Sequence, residues 1–471
     1  MPVPIITVAQ MREWEEATWA GGQSQTAVIA RVGELVARRV RQCTRPGDHV
    51  LILAGSGHNG DDARQAQPHL SDRQVDVLNV SDPQAALTTL RLGLKKNPTL
   101  IIDGLFGIGL NRPLDAHWRK FIARVNKAGV PVLSVDVPSG LNAETGTVEG
   151  EAIQATVTLT LAAPKRGLFA ASAVPFVGRL ELAPEIGLAP CPFESDWQWT
   201  QSGDFAGFPP PRAAFGHKGM FGHLAIVAGA QGSPGAGILA ARGAQRARPG
   251  LITIFPQKNV YLPIASQLQA VMVQAFYPDF NLGPYTAFLF GPGLGAPTIP
   301  PELRALVGRL WSTSELPIIV DASALDWLPP ERPLPKQTIR VITPHPGEAA
   351  RLLKWTSAGI QADRPKALRE LSARFSNCWV VLKGHQTLVG RSEGELFVNP
   401  SGNPDLAQGG SGDLLAGYVA GWLAQPALQA DPATAIRHAV WQHGAAADEL
   451  SQERRNWVIE DLEARLGNAK I

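Results

Sequence analysis

Short apolar runs alternate with amphipathic segments along the first part of the chain. Four runs have the length and composition of buried strands: HVLILAG (49–55), TLIIDGLFG (99–107), VPVLSVDVPSG (130–140) and VTLTLAAPK (157–165). Helical spacing of apolar residues is clearest at Val28, Val32, Leu35, Val36 and Val40. Strands separated by helices predict parallel β-α-β units, in a sheet covered by helices on both faces.

The pattern fails at about residues 189–215, where Pro, Gly and aromatic residues cluster without a period. Beyond Lys218 the alternation returns, with strand-like runs at HLAIVAGA, LITIFPQ, TAFLFGPG, LPIIVDASAL, TIRVITPHP and CWVVLKG. Helical segments such as GILAARGAQRA and PPELRALVGRLW lie between them. The sequence therefore predicts two α/β domains, residues 1–200 and 201–471, joined by an aromatic linker that packs on a surface.

Composition and charge exclude several functions. The 471 residues are 45% hydrophobic and 18% charged, which suits two domains that each bury a core. The formal net charge of +2 and the lack of a basic stripe argue against nucleic-acid binding. No apolar stretch approaches the roughly 20 residues of a membrane span, and no signal peptide is evident. The three cysteines, Cys43, Cys191 and Cys378, match no metal spacing and predict reduced thiols in a cytoplasmic protein.

One stretch has the spacing of a dinucleotide-binding loop. Gly55-x-Gly57-x-x-Gly60 directly follows a predicted strand, and Asp82 lies about twenty residues further on, where a ribose-binding acid is expected. On spacing alone, this pattern favours a nicotinamide-dependent oxidoreductase. The second half contains no substrate domain of that class, which argues against this interpretation.

Stronger candidate chemistry lies at Gly409-Gly410-Ser411-Gly412-Asp413, which opens an apolar helix. Glycines at a helix start let backbone amides converge on an anion, and the helix dipole favours negative charge there. Asp413 would repel a phosphate unless it accepts a proton from an attacking hydroxyl. Alternatively, Asp413 is a helix N-cap beside a flexible glycine turn.

Other polar residues and glycines follow neighbouring predicted strands. In chain order they are Gly291, Gly293, Gly295, Asp321, His345, Glu348, Lys383, Gly384, His385, Gln386 and Thr387. The turn after Lys383 suits a nucleotide phosphate, or it is an ordinary surface turn. Glu348 could cap a helix or hold Mg²⁺ through water. Open α/β sheets bind ligands at the carboxyl ends of their strands, so we interpret these residues as one site.

From about Phe215 to about Leu450, the chain strongly resembles the ribokinase-like NAD(P)H-hydrate dehydratases. The segments that carry the resemblance are HKGMFGHLAIVAGAQGSPGAGILAARGAQRA, FLFGPGLG, IIVDASAL, ITPHPGEAARLL, VVLKGHQTLV and NPDLAQGGSGDLLAG. The resemblance implies a ribokinase-like α/β domain that removes water from hydrated NADH or NADPH at the expense of ADP or ATP. It places Ala236, Gly293, His345 and Asp413 at the hydrated nucleotide, with Asp413 as the base. It places Lys383, Gly384, His385, Gln386, Thr387 and Gly412 at the adenine nucleotide.

The first half resembles the NAD(P)H-hydrate epimerases over about residues 8–188, closely in IIDGLFGIGLNRPL (101–114) and SVDVPSGLNAETGTVEG (134–150). The resemblance implies a Rossmann-like three-layer α/β sandwich that interconverts the R and S hydrates. It makes Asp136 catalytic, although a lone aspartate in this motif could also cap a turn. It gives K⁺ the ligands Asn59, Asp103 and Ser139, whose oxygens suit a hard cation. Its substrate residues are His58, Asn59, Gly60, Asp61, Asp62, Asp136, Gly107, Ile108, Gly109, Leu110, Asn111, Arg112 and Pro113.

The loop of residues 55–63, with the sequence GSGHNGDDA, departs from the epimerase pattern G-x-G-N-N-G-G-D-G. Asp61 and Ala63 stand where the family has glycines, and a side chain there is strained if the backbone needs a positive φ. Asp61 also adds negative charge, and Pro68 falls within the expected helix. In addition, His58 replaces an Asn of the family pattern, and polar residues stand where apolar ones should face the sheet, at Arg64, Gln65 and Gln67. These departures predict an epimerase activity that is weakened or lost.

Two alternatives stay open on the sequence. The glycine motif that ends at Asp413 also fits a ribokinase-like small-molecule kinase. The N-terminal half could instead be a non-catalytic module for structure or oligomerisation. In each case the expected partners are small molecules, and the family resemblance implies a homo-oligomer.

Overall fold

The computed structural model describes residues 2–277 and 283–469. These residues form two compact units, 3–195 and 196–469, and the division falls inside the segment where the hydrophobic pattern breaks. Part of that segment is regular, because Trp197–Trp199 is a strand of the second unit and Phe205 is buried in it. The aromatic residues of the predicted linker therefore contribute to a sheet and a core.

The N-terminal unit is a parallel sheet between two layers of helices. Its strands are β1 (Val3–Pro4), β2 (His49–Ala54), β3 (Gln74–Asn79), β4 (Leu100–Gly104), β5 (Val132–Val135), β6 (Val157–Leu161) and β7 (Arg179–Ala183). Its helices are α1 (Val8–Ala20), α2 (Gln25–Cys43), α3 (His58–Arg64), α4 (Pro83–Lys95), α5 (Ala116–Asn126) and α6 (Val174–Val177). Strands β2 to β7 form the sheet, in the order β3-β2-β4-β5-β6-β7, and every neighbouring pair is parallel. This confirms the predicted Rossmann-like three-layer sandwich.

Successive side chains of β2 point to opposite faces of the sheet, and each face packs against its own layer of helices. Val50 and Ile52 belong to a core with Val36 of α2, whereas Leu51 belongs to a second core with Leu90 of α4. The four strands predicted from apolar runs are all present. The edge strands β3 and β7 are additional, because edge strands carry alternating polar residues and lack a continuous apolar run.

The C-terminal unit is a larger sheet flanked by helices. Its strands are β8 (Trp197–Trp199), β9 (His223–Val227), β10 (Leu251–Ile254), β11 (Met272–Val273), β12 (Ala287–Phe290), β13 (Ile318–Val320), β14 (Arg340–Ile342), β15 (Trp379–Leu382), β16 (Leu388–Gly390) and β17 (Leu396–Val398). Its helices are α7 (Pro234–Ala247), α8 (Tyr261–Ala265), α9 (Pro301–Thr313), α10 (Pro346–Leu353), α11 (Ser357–Ala362), α12 (Arg364–Arg374), α13 (Ser411–Leu423), α14 (Pro432–Glu453) and α15 (Ile459–Arg465).

The order of the strands indicates where each sheet can bind a ligand. In the C-terminal unit the order is β8-β17-β16-β15-β14-β13-β12-β9-β10-β11. The pairs β15–β16 and β16–β17 are antiparallel, and the other pairs of this series are parallel. The order reverses beside β9 in this unit and beside β2 in the N-terminal unit. Such switch points open crevices at the carboxyl ends of the strands, where the candidate residues lie.

Helices α7 and α13 approach closely through glycines. A Cβ added at Gly417 would lie 1.9 Å from the carbonyl oxygen of Ala240, and one at Gly243 would lie 2.1 Å from that of Leu414. Backbone therefore lies against backbone, and this contact supports the helix that carries the Gly409–Asp413 motif at its start.

We expect Gly417→Ala to lower the free energy of unfolding by about 3 kcal/mol, because the new methyl group forces two packed backbones apart. Urea-induced unfolding of the full chain measures the loss. Gly308→Ala, inside α9, is the control, since its Cβ would lie 3.4 Å from the nearest atom, the Trp327 carbonyl oxygen. It is expected to stabilise by about 0.5–1 kcal/mol through helix propensity. Equal unfolding midpoints for the two variants would contradict the glycine contact.

Candidate functional site

A cavity of about 510 Å³ lies at the switch point of the N-terminal unit, among the loops that follow β2, β4 and β5. The predicted substrate residues on its wall are His58, Asn59, Asp62, Gly107, Ile108, Gly109, Leu110, Asn111, Arg112 and Asp136. Gly60, Asp61 and Pro113 lie outside the wall. Glu15 and Trp19 of α1 also line it, and sequence reasoning missed them. The cavity thus gathers most of the predicted substrate residues.

Two glycines of the dinucleotide-like loop, Gly55 and Gly60, let neighbouring stretches of backbone lie in direct contact. A Cβ added at Gly55 would lie 2.1 Å from the Leu105 carbonyl oxygen, and one at Gly60 would lie 2.1 Å from that of Gly55. Asp82, at the ribose-binding position of the oxidoreductase pattern, is the N-cap of α4. Its Oδ1 accepts the backbone N–H of Gln84 at 2.8 Å. Backbone packing at Gly55 and Gly60 and capping by Asp82 therefore account for most of the fingerprint, whereas a Cβ at Gly57 would meet open space.

Helix α3 corrects two expectations about the altered loop. Asp61 and Ala63 both lie within α3 and neither has a positive φ, so the expected backbone strain is wrong. The helix ends at Arg64, and Pro68 stands in the following 3₁₀ turn, where it breaks no α-helical hydrogen bond. Arg64 Nη2 lies 2.6 Å from Asp61 Oδ1 and offsets the added charge.

Asp136 forms an ion pair that the sequence did not reveal. It follows β5 with φ 63°, and its carboxylate accepts hydrogen bonds from Lys165 Nζ and, at 3.1 Å, from the backbone N–H of Leu161. The Lys165 side chain is fully buried. A buried ammonium group requires a partner, and Asp136 supplies it. The lysine directly after the apolar run of β6 was the available signal.

Asp62 and Glu15 share the cavity with this pair. Burial, followed by the charges of Asp136, Asp61 and Glu15, raises the pKa of Asp62 to about 8. Burial and the charge of Asp136 also raise the pKa of Glu15. The cavity therefore holds one ion-paired carboxylate beside a carboxyl group that keeps its proton near neutral pH.

The predicted K⁺ ligands converge around Phe106. Ser139 Oγ donates to Asp103 Oδ1 at 2.6 Å, and it lies 3.2 Å from the Phe106 carbonyl oxygen. Asn59 Nδ2 donates to the same carbonyl oxygen at 2.8 Å. Burial raises the pKa of Asp103, whose carboxyl oxygens also accept hydrogen bonds from Ser134, Ser139 and Leu105. The three predicted side chains thus lie together as an oxygen-rich cluster.

In the C-terminal unit, charged side chains converge on Lys383. Lys383 Nζ lies 2.8 Å from Asp321 Oδ1 and 3.9 Å from Glu348 Oε2. A Cβ added at Gly412 would lie 3.2 Å from the same Nζ. Burial and the charge of Asp321 raise the pKa of Asp413 to about 6, against the opposing charge of Lys383. Lys383 and Gly412, predicted at the nucleotide, therefore lie close to Asp413, the predicted base.

The start of α13 excludes the capping interpretation of Asp413. The N-cap is Gly410, with φ 93°, and Asp413 stands at the third helical position. Glu348, by contrast, does cap a helix, because its Oε2 accepts the backbone N–H of His345 at 2.8 Å. His345 Nδ1 in turn accepts the N–H of Gly347 at 3.0 Å, at the start of α10.

Two further groups of predicted residues are in contact. A Cβ added at Gly293 would lie 2.9 Å from the Cβ of Ala236, so these residues adjoin. In the turn after β15, Thr387 Oγ1 donates to the Gly384 carbonyl oxygen at 3.0 Å. Gln386 has φ 50°, which adds strain in the same turn.

Arg364 supports that turn and was missed by sequence reasoning. Its Nη2 donates to the Leu382 carbonyl oxygen at 3.0 Å, and a Cβ at Gly384 would lie 2.7 Å from its Nη1. Burial and the charge of Arg364 lower the pKa of His385. The turn therefore keeps a neutral imidazole beside a guanidinium group.

Three structural features concern metal binding, membrane insertion and the state of the cysteines. Among the described residues, no three His, Cys, Asp or Glu side chains are arranged to hold a metal ion. Within residues 2–277 and 283–469, no helix combines the length and apolarity of a membrane crossing. Cys43, Cys191 and Cys378 are free thiols.

Comparisons with known proteins agree with the family predicted for each half of the chain. A family model described as NAD(P)H-hydrate dehydratase matches residues 224–468, and one described as YjeF-related protein N-terminus matches residues 79–167. The bifunctional NAD(P)H-hydrate repair enzyme of Coxiella burnetii is 32% identical, across 96% of this chain and 96% of the relative. The enzyme of the same description from Gloeobacter violaceus is 33% identical, across 95% and 93%. An ADP/ATP-dependent NAD(P)H-hydrate dehydratase of Bacillus subtilis, co-crystallised with ATP/Mg²⁺, is 32% identical, with a TM-score of 0.50 over 55% of this chain and 92% of its own.

We expect Asp62→Asn to stabilise the full chain at pH 7.5 by on the order of 2 kcal/mol. The Asp62 carboxyl has a pKa of about 8 when folded, against 3.8 as its ordinary value. The unfolded chain therefore releases this proton first, and wild-type stability falls as the pH rises from about 4 to 8. Thermal unfolding across this range measures the slope, which the variant should lack. Asp61→Asn on the same helix should keep most of the wild-type slope, because burial and the charge of Asp136 are larger causes of the raised pKa of Asp62. An unchanged slope for Asp62→Asn would contradict the prediction.

Proposed function

Because the chain belongs to the family of bifunctional NAD(P)H-hydrate repair enzymes, we propose that each of its units repairs hydrated nicotinamide cofactors by one reaction. The C-terminal unit dehydrates the S-hydrate of NADH or NADPH at the expense of ADP or ATP. The N-terminal unit interconverts the R and S hydrates, so that both forms reach the dehydratase.

The observation that carries the dehydratase proposal is the charge cluster at the start of α13. Asp413, with a pKa of about 6, lies beside the amides of a glycine-rich helix start and near Lys383. A carboxylate with that pKa can accept a proton at neutral pH, and amides with a lysine suit a phosphoryl group. This arrangement joins a base to an anion site.

Hydroxide is a poor leaving group, so the ring hydroxyl is first converted into a phosphate ester. Asp413 takes the hydroxyl proton as the hydroxyl oxygen attacks the terminal phosphorus of ADP, and the bond from that phosphorus to the bridging oxygen breaks to release AMP. The amides of Gly410 and Gly412 stabilise the charge on the transferred group. The ring nitrogen then expels phosphate, and loss of a proton from the adjacent ring carbon restores the dihydropyridine.

The adenine nucleotide would lie against the turn of Lys383, Gly384, His385, Gln386 and Thr387, with Gly412 opposite. Support comes from the closeness of Gly412 to the lysine: a Cβ added at Gly412 would lie 3.2 Å from Lys383 Nζ, so the ammonium group and the start of α13 can contact the same phosphoryl group. Mg²⁺ fits only through water, because one Glu348 oxygen already caps α10. It would offset charge on the nucleotide phosphates.

The hydrated nucleotide would lie against Ala236, Gly293 and His345. Support comes from the contact between Ala236 and Gly293, where the small residues leave backbone open to a ligand. His345 stands at the helix start beside Glu348, within reach of the Lys383 cluster. The hydroxyl of a hydrate bound along this edge would then face Asp413.

For the epimerase, we propose Asp136 as the group that assists proton transfer at the hydrated carbon. Its ion pair with Lys165 holds the carboxylate on the wall of the N-terminal cavity. The substrate phosphates would lie along residues 107–113, and His58, Asn59 and Asp62 would complete the wall. Gly60 and Asp61 would act through α3, since they lie outside the wall.

K⁺ fits the cluster of Asn59, Asp103 and Ser139 with the Phe106 carbonyl, because each of these residues carries an oxygen that a hard cation can bind. Asn59 would offer its Oδ1, since its Nδ2 donates to the Phe106 carbonyl oxygen. There it would supply positive charge close to the substrate phosphates. The homo-oligomeric state stays a prediction. The free thiols support a cytoplasmic, reducing location.

The geometry of α3 removes three of the reasons for expecting a weakened epimerase. Asp61 and Ala63 are helical, the charge of Asp61 is offset by Arg64, and Pro68 lies beyond the helix. We therefore propose that the N-terminal unit is active.

Asp413→Asn is expected to lower the rate of S-hydrate dehydration by about 10³-fold, because the amide cannot take the hydroxyl proton. Recovery of the absorbance of reduced nicotinamide follows the reaction. In the wild type, kcat/KM should fall as the pH drops below about 6, where Asp413 becomes protonated. Full activity of the variant would overturn the mechanism. A stable phosphorylated product in place of free phosphate would favour the small-molecule kinase.

Asp136→Asn should remove the conversion of pure R-hydrate above its spontaneous rate and leave S-hydrate dehydration unchanged, because the two reactions use different units. The same absorbance assay, begun with R-hydrate or S-hydrate alone, separates them. A wild-type chain that converts R-hydrate only at the spontaneous rate would support the non-catalytic module and the weakened loop instead.

A further inference from the structure

Helix α14 holds the segment that carries the proposed catalytic base. Residues 399–410 connect β17 to α13, and we call residues 399–412 the glycine loop. The residues of α14 that contact it lie at helical spacing on one face: Trp441, Gly444, Asp448 and Ser451, with His443 beside them. The loop therefore rests along three turns of one helix.

Asp448 binds the first part of the loop. Its Oδ2 accepts the backbone N–H of Gly402 at 3.0 Å, and its Oδ1 accepts Asn403 Nδ2 at 3.0 Å. Next to it, Ser401 Oγ donates to the Trp441 carbonyl oxygen at 2.8 Å. A Cβ at Gly444 would lie 2.3 Å from Ser401 Oγ, so helix and loop are in direct contact.

His443 binds the other end of the loop. It is 5% exposed, and its Nε2 lies 3.2 Å from the carbonyl oxygen of Ser411, the first residue of α13 and two residues before Asp413. A carbonyl oxygen can only accept, so this nitrogen carries a proton and donates. Burial lowers the pKa of His443 to about 4, helped by the charge of Lys383 and opposed by the bond to Ser411. The neutral imidazole therefore keeps this donor throughout the neutral range.

We propose that His443 and Asp448 are positioning residues for phosphoryl transfer, which fix the glycine loop so that its amides and Asp413 face the terminal phosphate of the nucleotide. The inference rests on the proposed dehydratase function and deepens it. The loop contains several glycines, among them Gly402 and Gly410 at positive φ, and it has little conformational preference of its own. Its shape depends on partners that are themselves rigid, and α14 is such a partner.

His438 supplies a matched control for His443. It lies on the same helix and is 2% exposed, and burial also lowers its pKa to about 4. Its ring packs against Phe205, Phe208 and Trp422, and within residues 2–277 and 283–469 it makes no hydrogen bond to the glycine loop. Replacing either histidine disturbs the core of the same helix, but only one replacement removes a bond to the loop.

The test compares His443→Leu, His443→Gln and His438→Leu in the full chain, by calorimetric binding of ADP and by S-hydrate kinetics. We expect His443→Leu to raise the Kd of ADP about tenfold and to lower kcat, with little change in the KM of the hydrate. His443→Gln, whose amide can donate to Ser411, should restore most of the affinity. His438→Leu should bind ADP like the wild type.

Asp448→Asn is the second variant, because it keeps the shape of the side chain and loses one acceptor. A rise of about threefold or more in the Kd of ADP is expected for it. Unchanged ADP affinity in His443→Leu and Asp448→Asn, or an equal loss in His438→Leu without rescue by His443→Gln, would overturn the proposal. If the wild type binds ADP but does not dehydrate the hydrate, the dehydratase function fails, while the pattern of ADP affinities still decides the positioning role.

Discussion

In each unit, a lysine pairs with an aspartate at the carboxyl end of a strand, and the candidate site is built around that pair; the lysine is fully buried in the N-terminal unit and half-buried in the C-terminal unit. Lys165, after β6, pairs with Asp136, after β5. Lys383, after β15, lies 2.8 Å from Asp321, after β13. An ammonium group is tolerated away from water only when a carboxylate accompanies it. Parallel strands meet this requirement, because their carboxyl ends lie along one edge of the sheet.

Each ion pair leaves another carboxyl group close by without a cation of its own. In the N-terminal unit this group is Asp62, with a pKa of about 8, and in the C-terminal unit it is Asp413, with a pKa of about 6. Burial and neighbouring negative charge cause both shifts. Environments that separate the proton affinities of adjacent carboxyl groups let one carry a proton while another stays charged. The same electrostatic arrangement, a lysine–aspartate ion pair beside a carboxyl group with a raised pKa, therefore occurs on both sheets.

Sequence patterns predicted the central strands of the sheets better than the edge strands or the contacts between residues far apart in the chain. The apolar runs identified β2, β4, β5 and β6, because strands buried on both faces are continuously apolar. The edge strands β3 and β7 escaped this criterion. Asp136, directly after an apolar run, and Asp413, at the end of a glycine motif, were recognisable from the sequence. Lys165 and His443 were not, since their partners lie 29 and 32 residues away along the chain.

The sequence by itself determined the α/β order of the elements, the resemblance of each half to a family, and the set of groups able to do the chemistry. These depend on local periodicity and on the residues of short motifs, which need no knowledge of distant contacts. Only the tertiary structure decided that Asp61 and Ala63 are helical, that Glu348 caps α10 and that Asp62 holds its proton. Backbone conformation, capping and desolvation depend on which distant segments meet, and folding alone brings those segments together.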